Sequence, residues 1–239
     1  MSTAAISLGH PADSAQVIGR TFRSSFVSDA RPIIFVLDED ASVRESLEQL
    51  VLREGWRCET LASAQELLAR LPGVVPNCLV VDTSVPGTNA LDLQKRVAGE
   101  FSGTSVIFIA AQIDVGTTVK VMKAGAVGIF IKPLSNHALL ASIQEALERS
   151  RVAIAREAEA RALRDRYALL TTRERQVMAL VVSGLLNKQI GGQLGISEVT
   201  VKAHRGQVMQ KMKADSLAGL VRMAGRPGLA SVAESEICR

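Results

Sequence analysis

The sequence predicts an α/β domain built on a five-stranded, parallel, doubly wound sheet. A long connector helix joins it to an all-α domain of four short helices. Three observations predict this. Short apolar runs alternate with helical spacing five times between residues 31 and 150. A helical pattern with neither Gly nor Pro then runs from Asn136 to Ala168. Residues 169–226 carry four further helical patterns, punctuated by Ser, Thr and Gly. Strand–helix alternation of the first kind means a parallel sheet covered on both faces.

The elements follow in order. Residues 1–30 are rich in Ser, Ala and Gly with little periodicity and read as a mobile arm. Order begins near Pro32. Ile33–Leu37 is the first strand. Ser42–Glu54 has apolar residues at Val43, Leu47, Leu50 and Val51, which is helical spacing, and Ser42 with Glu45 forms a capping-box pattern. Arg57–Leu61 is followed by a helix from Ser63, Cys78–Val81 by Leu91–Val97, and Ser105–Ile109 by Val115–Ala124. Gly128–Ile131 is the last strand.

The helix from Asn136 is dense in Ala, Glu and Arg, all strong helix formers. At 1.5 Å per residue it spans roughly 50 Å. Leu140, Ile143, Leu147 and Ile154 begin a heptad-like seam, which breaks near Glu157 and resumes at Leu163, Tyr167 and Leu170. Residues 151–168 are thus a helical linker, either solvated or also pairing two chains. Thr171 and Glu174 give a second capping box, opening a helix through Val182 that Ser183-Gly184 ends. Asn187–Leu194 is closed by Gly195, Ser197 caps a helix to Met212, and a last helix runs from Ser216 to Ala224. Residues 227–239 read as a disordered tail.

Composition bounds the function. A chain of 239 residues, 47% hydrophobic and 22% charged, suits one or two soluble domains. No apolar run approaches the ~18 residues of a membrane helix. The stretch MSTAAISLGHPADSAQ lacks the basic start and apolar core of a signal peptide. Cys58, Cys78 and Cys238 share no metal-ligand spacing, and their odd number argues against a disulfide framework. Cys58 and Cys78 read as small core hydrophobes, and the chain as cytoplasmic. Residues 168–226 hold nine Lys and Arg against three Asp and Glu. Such an excess on a small segment points to a polyanionic partner.

Two constellations carry chemistry. Asp38, Glu39 and Asp40 follow the first strand, Asp82 ends the third, and Lys132 follows the fifth. In a parallel sheet these ends share one edge. Clustered carboxylates repel unless a cation sits among them, and a few oxygen ligands with waters suit Mg²⁺. A carboxylate there can accept a phosphoryl group, with Lys132 neutralising its oxygens. The plainer reading is a set of strand-end charges facing water. The second constellation is GLLNKQIGGQLGISEVTVKAHRGQV, a short helix, a Gly-containing turn and a capped helix: helix-turn-helix logic. On the second helix Val201 and Val208 share the inward face. Lys202, Arg205 and, more obliquely, Ala203 are expected outward, as for major-groove insertion. The plainer reading is a bundle helix with solvated charges. His204 reads as structural.

Residues 31–150, through VLDEDASVR, LVVDTSVPG and MKAGAVGIFIKP, resemble the receiver domain of two-component response regulators, and most of all the FixJ type. Residues 169–226, through LTTRE, SGLLNKQI and LGISEVTVKAHR, resemble the LuxR-type four-helix DNA-binding domain. The resemblance implies that Asp82 accepts phosphate from a sensor histidine kinase. It implies Mg²⁺ bound by Glu39, Asp82 and the carbonyl of Ser84, with Asp38 helping through water, and Lys132 on the phosphoryl group. It implies a recognition helix over Ser197–Gln207. Lys202, Ala203 and Arg205 would face duplex DNA, with Lys188 and Thr200 near phosphates. RNA polymerase and, at least in the active state, a second copy of the chain are the further partners implied.

The departures bear on switching. The family usually carries Thr or Ser where this chain has Ala110, and Tyr or Phe where it has Ile129. Phe130 should point to the opposite face of its strand. Val85 and Ala90 are smaller departures from Met and Gly. Gly191, in Gly191-Gly192, stands where Ala is usual; it either frays its helix or permits close packing. The expected function is a DNA-binding response regulator with an atypical switch. The alternative is a phosphorylation-independent transcription factor whose degenerate receiver is a dimerisation or ligand-sensing module. A phosphatase-like enzyme is disfavoured, because Ser84 stands where a second carboxylate is needed.

Overall fold

The computed structural model describes residues 31–71, 73–86 and 89–226. The N-terminal arm, the tail with Cys238, and Gly87 of the LVVDTSVPG motif lie outside the described residues.

Five parallel strands form one sheet: β1 (Ile33–Leu37), β2 (Arg57–Leu61), β3 (Cys78–Asp82), β4 (Ser105–Ala110) and β5 (Gly128–Ile131), in the order β2-β1-β3-β4-β5. The order reverses between β1 and β3, which opens a crevice at their carboxyl ends. The three central strands β1, β3 and β4 are short, apolar and almost wholly buried, as strands covered on both faces require, while the edge strands β2 and β5 are more open. Alternate residues serve two cores. Phe35, Leu79, Val81 and Phe108 face one layer, and Ile34, Val80, Ile107 and Ile109 the other. The covering helices are α1 (Ala41–Arg53), α2 (Ala64–Arg70), α3 (Ala90–Glu100), α4 (Val115–Lys123) and α5 (Asn136–Ala168). Cys58 and Cys78 sit in this core region; burial pushes the Cys58 thiol up to about 12 and raises Cys78 as well. Both behave as core hydrophobes.

Ser42 does not cap α1. Asp40 does: its carboxylate accepts from the Ser42 N–H at 2.8 Å and from the Ser42 hydroxyl at 2.7 Å. A carboxylate two residues earlier outcompetes the hydroxyl and starts the helix at Ala41. The predicted caps Thr171 and Ser197 accept from the Glu174 and Thr200 N–H groups, and Ser63, Ser135 and Ser216 cap their helices in the same way.

The helix α5 contributes to two cores. Leu139, Ile143 and Ala146 pack on the sheet, while Leu163 and Tyr167 pack with Leu170 in the C-terminal core. Ser150 is buried too; it donates to the Gly103 carbonyl at 2.5 Å and accepts from Asn77 Nδ2 at 3.1 Å. Ile154 covers Gly103, where an added Cβ would lie 2.8 Å from its Cγ1. The heptad-like seam is therefore mostly consumed inside the chain. Ile143 and Leu147 belong to the sheet-side core, and none of residues 151–162 is fully buried.

Four helices complete the described chain: α6 (Thr172–Val182), α7 (Asn187–Leu194), α8 (Glu198–Met212) and α9 (Leu217–Ala224). The Thr171–Glu174 capping box forms, and Glu174 also takes two bonds from Lys211 Nζ, at 2.7 and 2.9 Å. Gly195 closes α7 with φ +66°, a left-handed turn that glycine adopts freely. Gly191 is a packing glycine: a Cβ there would stand 2.7 Å from the Ile196 carbonyl oxygen. The helix α7 is continuous through it.

Candidate phosphoryl-acceptor site and nucleic-acid interface

At the β1/β3 crevice the sequence places a carboxylate on each strand end. Asp38 and Asp82 are 1% and 2% exposed. Two charges this deep require a partner. Lys132, carried by the end of β5, supplies it: its ammonium donates to Oδ2 of Asp82 and, at 3.1 Å, to Oδ2 of Asp38. The Lys132 N–H bonds the Ala110 carbonyl at 2.9 Å, which fixes the side chain's point of departure. The other oxygen of Asp82 accepts from both the N–H and the hydroxyl of Ser84, each at 2.8 Å. Asp38 Oδ1 accepts from the Asp40 N–H at 2.9 Å.

The two carboxyls are pushed apart electrostatically. Burial raises Asp38, and the Asp40 N–H and Lys132 do not offset it. Burial acts on Asp82 too, but Lys132 and the two Ser84 donors outweigh it and hold Asp82 below the usual carboxylate value. Burial works against the Lys132 charge, yet the two carboxylates hold its pKa above the usual value. Of the two carboxyls, Asp82 is thus the one whose pKa the site lowers, and Asp38 the one whose pKa it raises.

Glu39 is not drawn into the pair. Its side chain is exposed, and its carbonyl, with that of Asp38, accepts from Arg44 Nη1 at 2.9 and 2.8 Å. Asp40 is spent on capping α1. No group of three carboxylate, His or Cys side chains close enough to hold a metal exists among the described residues. The donor set still fits Mg²⁺, which prefers oxygen and is commonly held by one or two carboxylates with waters and phosphate. Ser84 is exposed and sits directly over Asp82. Beside Thr83 an open cleft of about 600 Å³ is lined by Asn89, Gln112, Asp114 and Thr117.

Ala110 ends β4 fully buried, and its methyl offers no hydrogen bond. Ile129 packs into the core layer of Val121 and Ala126, while Phe130 packs into the opposite layer. Neither ring nor hydroxyl is available at these two positions.

In the C-terminal region Val201, Val208 and Met212 seat α8 in the core. Lys202 and Ala203 are exposed, as is Lys188 at the start of α7. Thr200 is half-buried and its hydroxyl meets that of Ser197 at 2.8 Å. Arg205 corrects the expected face. It is half-buried and donates through Nη1 to Asn187 Oδ1 at 2.6 Å, tying α8 to α7. The reason is position: Arg205 lies four residues from Val201 and three from Val208, hence beside the buried stripe. That spacing was readable in the sequence. Ala203, expected to be oblique, is open to solvent. His204 is half-buried.

Comparison with known proteins agrees with this architecture. Residues 34–144 match the model of the response regulator receiver domain, and residues 168–224 that of the bacterial regulatory proteins of the luxR family. The chain is 38% identical over 204 residues to Nodulation protein W of Bradyrhizobium diazoefficiens, covering 85% of this chain and 90% of that one. It is 38% identical over 196 residues to the transcriptional regulatory protein FixJ of the same organism, covering 82% and 96%. Among solved structures, response regulator StyR is 42% identical, with a TM-score of 0.69 over 82% of this chain and 98% of that chain. The fold and the paired domains define a DNA-binding response regulator of a two-component system. The chain belongs to the FixJ-type response regulators.

Proposed function

We propose that Asp82 accepts a phosphoryl group and that this charge, through an attenuated switch, controls operator binding by the C-terminal domain. The observation that carries the reading is the Lys132 ammonium set between two buried carboxylates. In the step, an Asp82 carboxylate oxygen attacks phosphorus, the P–N bond to a kinase phosphohistidine breaks, and the imidazole leaves. Asp82, Asp38 and the Ser84 carbonyl are the groups that would hold Mg²⁺, with Glu39 able to join from the exposed loop. Bound there, the ion would supply charge neutralisation for the phosphoryl oxygens. Lys132 then turns from the carboxylates toward those oxygens.

The attenuation follows from Ala110 and Ile129. A hydrogen bond to a charged group is worth about 1.5–3 kcal/mol. Near-complete inversion of a two-state equilibrium takes about 5.5 kcal/mol. A methyl at Ala110 removes a large part of that. Phosphate still binds Asp82, and less of its energy reaches the rest of the chain. The second reading, a receiver that acts without phosphate as a dimerisation or ligand-sensing module, draws on the same two side chains.

On the DNA side, Lys202 and Ala203 face the major groove, Lys188 and Thr200 lie near phosphates, and Arg205 acts from the groove edge while bonded to Asn187. A histidine kinase, RNA polymerase and a second copy of the chain are the protein partners of this reading, in the cytoplasm. Among the described residues no helix is long and apolar enough to cross a membrane. No turnover beyond slow loss of its own phosphoryl group is proposed. The test is incubation of the full chain with Mg²⁺ and acetyl phosphate, read on a phosphate-affinity gel. A retarded band that Asp82→Asn abolishes is the expected result. An unretarded wild-type chain overturns the assignment.

A further inference from the structure

We propose that α8 reads thymine through a side-chain-poor, apolar centre: Val199 and Ala203 sit on thymine C5-methyl groups, and Gly206 lets the helix backbone lie close to the base edges. The inference rests on the reading that α8 enters the major groove, and it names what is read there.

At about 100° per residue, Val199, Ala203, Gly206 and Gln210 fall within roughly 60° of one another. The buried Val201, Val208 and Met212 lie on the opposite side. All four are exposed, and Val199 is 79% exposed in the first turn, where it makes no part of the core. A β-branched residue there neither favours the helix nor packs within the chain.

Gly206 is the second observation. Glycine inside a helix weakens it relative to alanine. Gly191 has an internal reason, the Ile196 carbonyl 2.7 Å from a would-be Cβ. At Gly206 a Cβ meets nothing within 4 Å, so no packing within the described chain needs the clearance. Close approach of the backbone to a ligand is a use for such a glycine.

The chemistry of this face selects the base. Lys202 flanks it, and the Arg205 guanidinium is engaged by Asn187 at the edge of the face. Guanine is usually read by a bidentate Arg or Lys, whereas thymine presents a methyl group that Ala and other apolar side chains contact in the major groove. Gln207, on the other flank, has the amide that pairs with adenine N6 and N7. A centre of Val, Ala and Gly therefore favours A·T pairs in the half-site.

The test uses the full chain with Mg²⁺ and BeF₃⁻ and duplexes it enriches from a random-sequence library. Each thymine of the enriched site is replaced singly by deoxyuridine, which removes only the methyl. At one or more half-site positions the wild-type chain should lose about threefold to tenfold in affinity. Val199→Ser should lose less than about twofold at the same position, because the contact is already gone. Gly206→Ala should raise the melting temperature while weakening operator binding. Deoxyuridine substitutions that are all silent overturn the inference while leaving groove insertion intact. A loss of equal size in Val199→Ser removes Val199 from the contact. Failure to enrich any duplex overturns the groove reading itself.

Discussion

The Lys132 ammonium donates to Oδ2 of Asp82 from the end of β5, across the intervening β4. That bond, with the second one to Asp38, gives a shared counter-charge to two carboxylates that the sheet has removed from water. Lys132→Met strips both of their counter-charge. Loss of one partner of a buried pair costs about 3–5 kcal/mol at full burial. The Lys132 side chain keeps 30% of its exposure, which reduces the loss. A clear drop in the urea midpoint of the receiver transition is expected; an unchanged midpoint contradicts the pairing.

Gly191 and Gly192 are neighbours with opposite predicted effects. Gly191→Ala drives a methyl to 2.7 Å from the Ile196 carbonyl and forces the turn before α8 to shift, so it should destabilise. Gly192 has nothing within 4 Å of a would-be Cβ. Gly192→Ala should stabilise by about 0.5–1 kcal/mol through helix propensity. Thermal melts of the two variants check the pair. Equal shifts would falsify the packing role of Gly191.

Lys202 and Arg205 separate recognition from architecture. Lys202 is exposed, so Lys202→Ala should abolish specific operator binding without moving the melting temperature. Arg205→Ala leaves Asn187 Oδ1 without its 2.6 Å donor and should lower both binding and the melting temperature. A melting temperature unaffected by Arg205→Ala contradicts the tie between α7 and α8.

Glu174 sets an acid limit for the C-terminal domain. Burial acts to raise its pKa, but Lys211 and the two Thr171 contacts outweigh it and leave the carboxyl below its ordinary 4.5. A depressed folded-state value contributes stability that is fully present above the unfolded-state pKa. That contribution is lost as pH falls through the folded-state value. Wild-type melting temperature should therefore fall below about pH 4.5 more steeply than that of Glu174→Gln. Parallel curves for the two proteins are the contrary result.

The strand bounds read from the sequence and those of the structure agree where a short run is sharply closed. Ile33–Leu37, Arg57–Leu61 and Gly128–Ile131 have the predicted bounds because each run is closed by a turn or a charge. The meeting of Asp38, Asp82 and Lys132 was legible too, since parallel strand ends share one edge. The start of α1 was not, because Asp40 and Ser42 both have capping side chains and only the closed geometry ranks them. The half-burial of Arg205 follows from its place between Val201 and Val208, which its charge alone does not reveal. Gly191 was undecidable because the contact that needs it, Ile196, comes from across the turn. The periodicity on α5 alone does not show that Ile143 serves one core and Leu163 and Tyr167 another.

The central claim is that charge on Asp82 controls operator binding through a switch weakened at Ala110. The most direct measurement is operator affinity of the full chain with Mg²⁺, with and without BeF₃⁻, for wild type, Asp82→Asn and Ala110→Thr. Wild type should gain a few-fold, Asp82→Asn nothing, and Ala110→Thr about tenfold more than wild type, the worth of one restored hydrogen bond to a charged group. An affinity that BeF₃⁻ leaves flat in wild type contradicts control by phosphate, and a full wild-type response that Ala110→Thr does not enlarge contradicts the weakened switch.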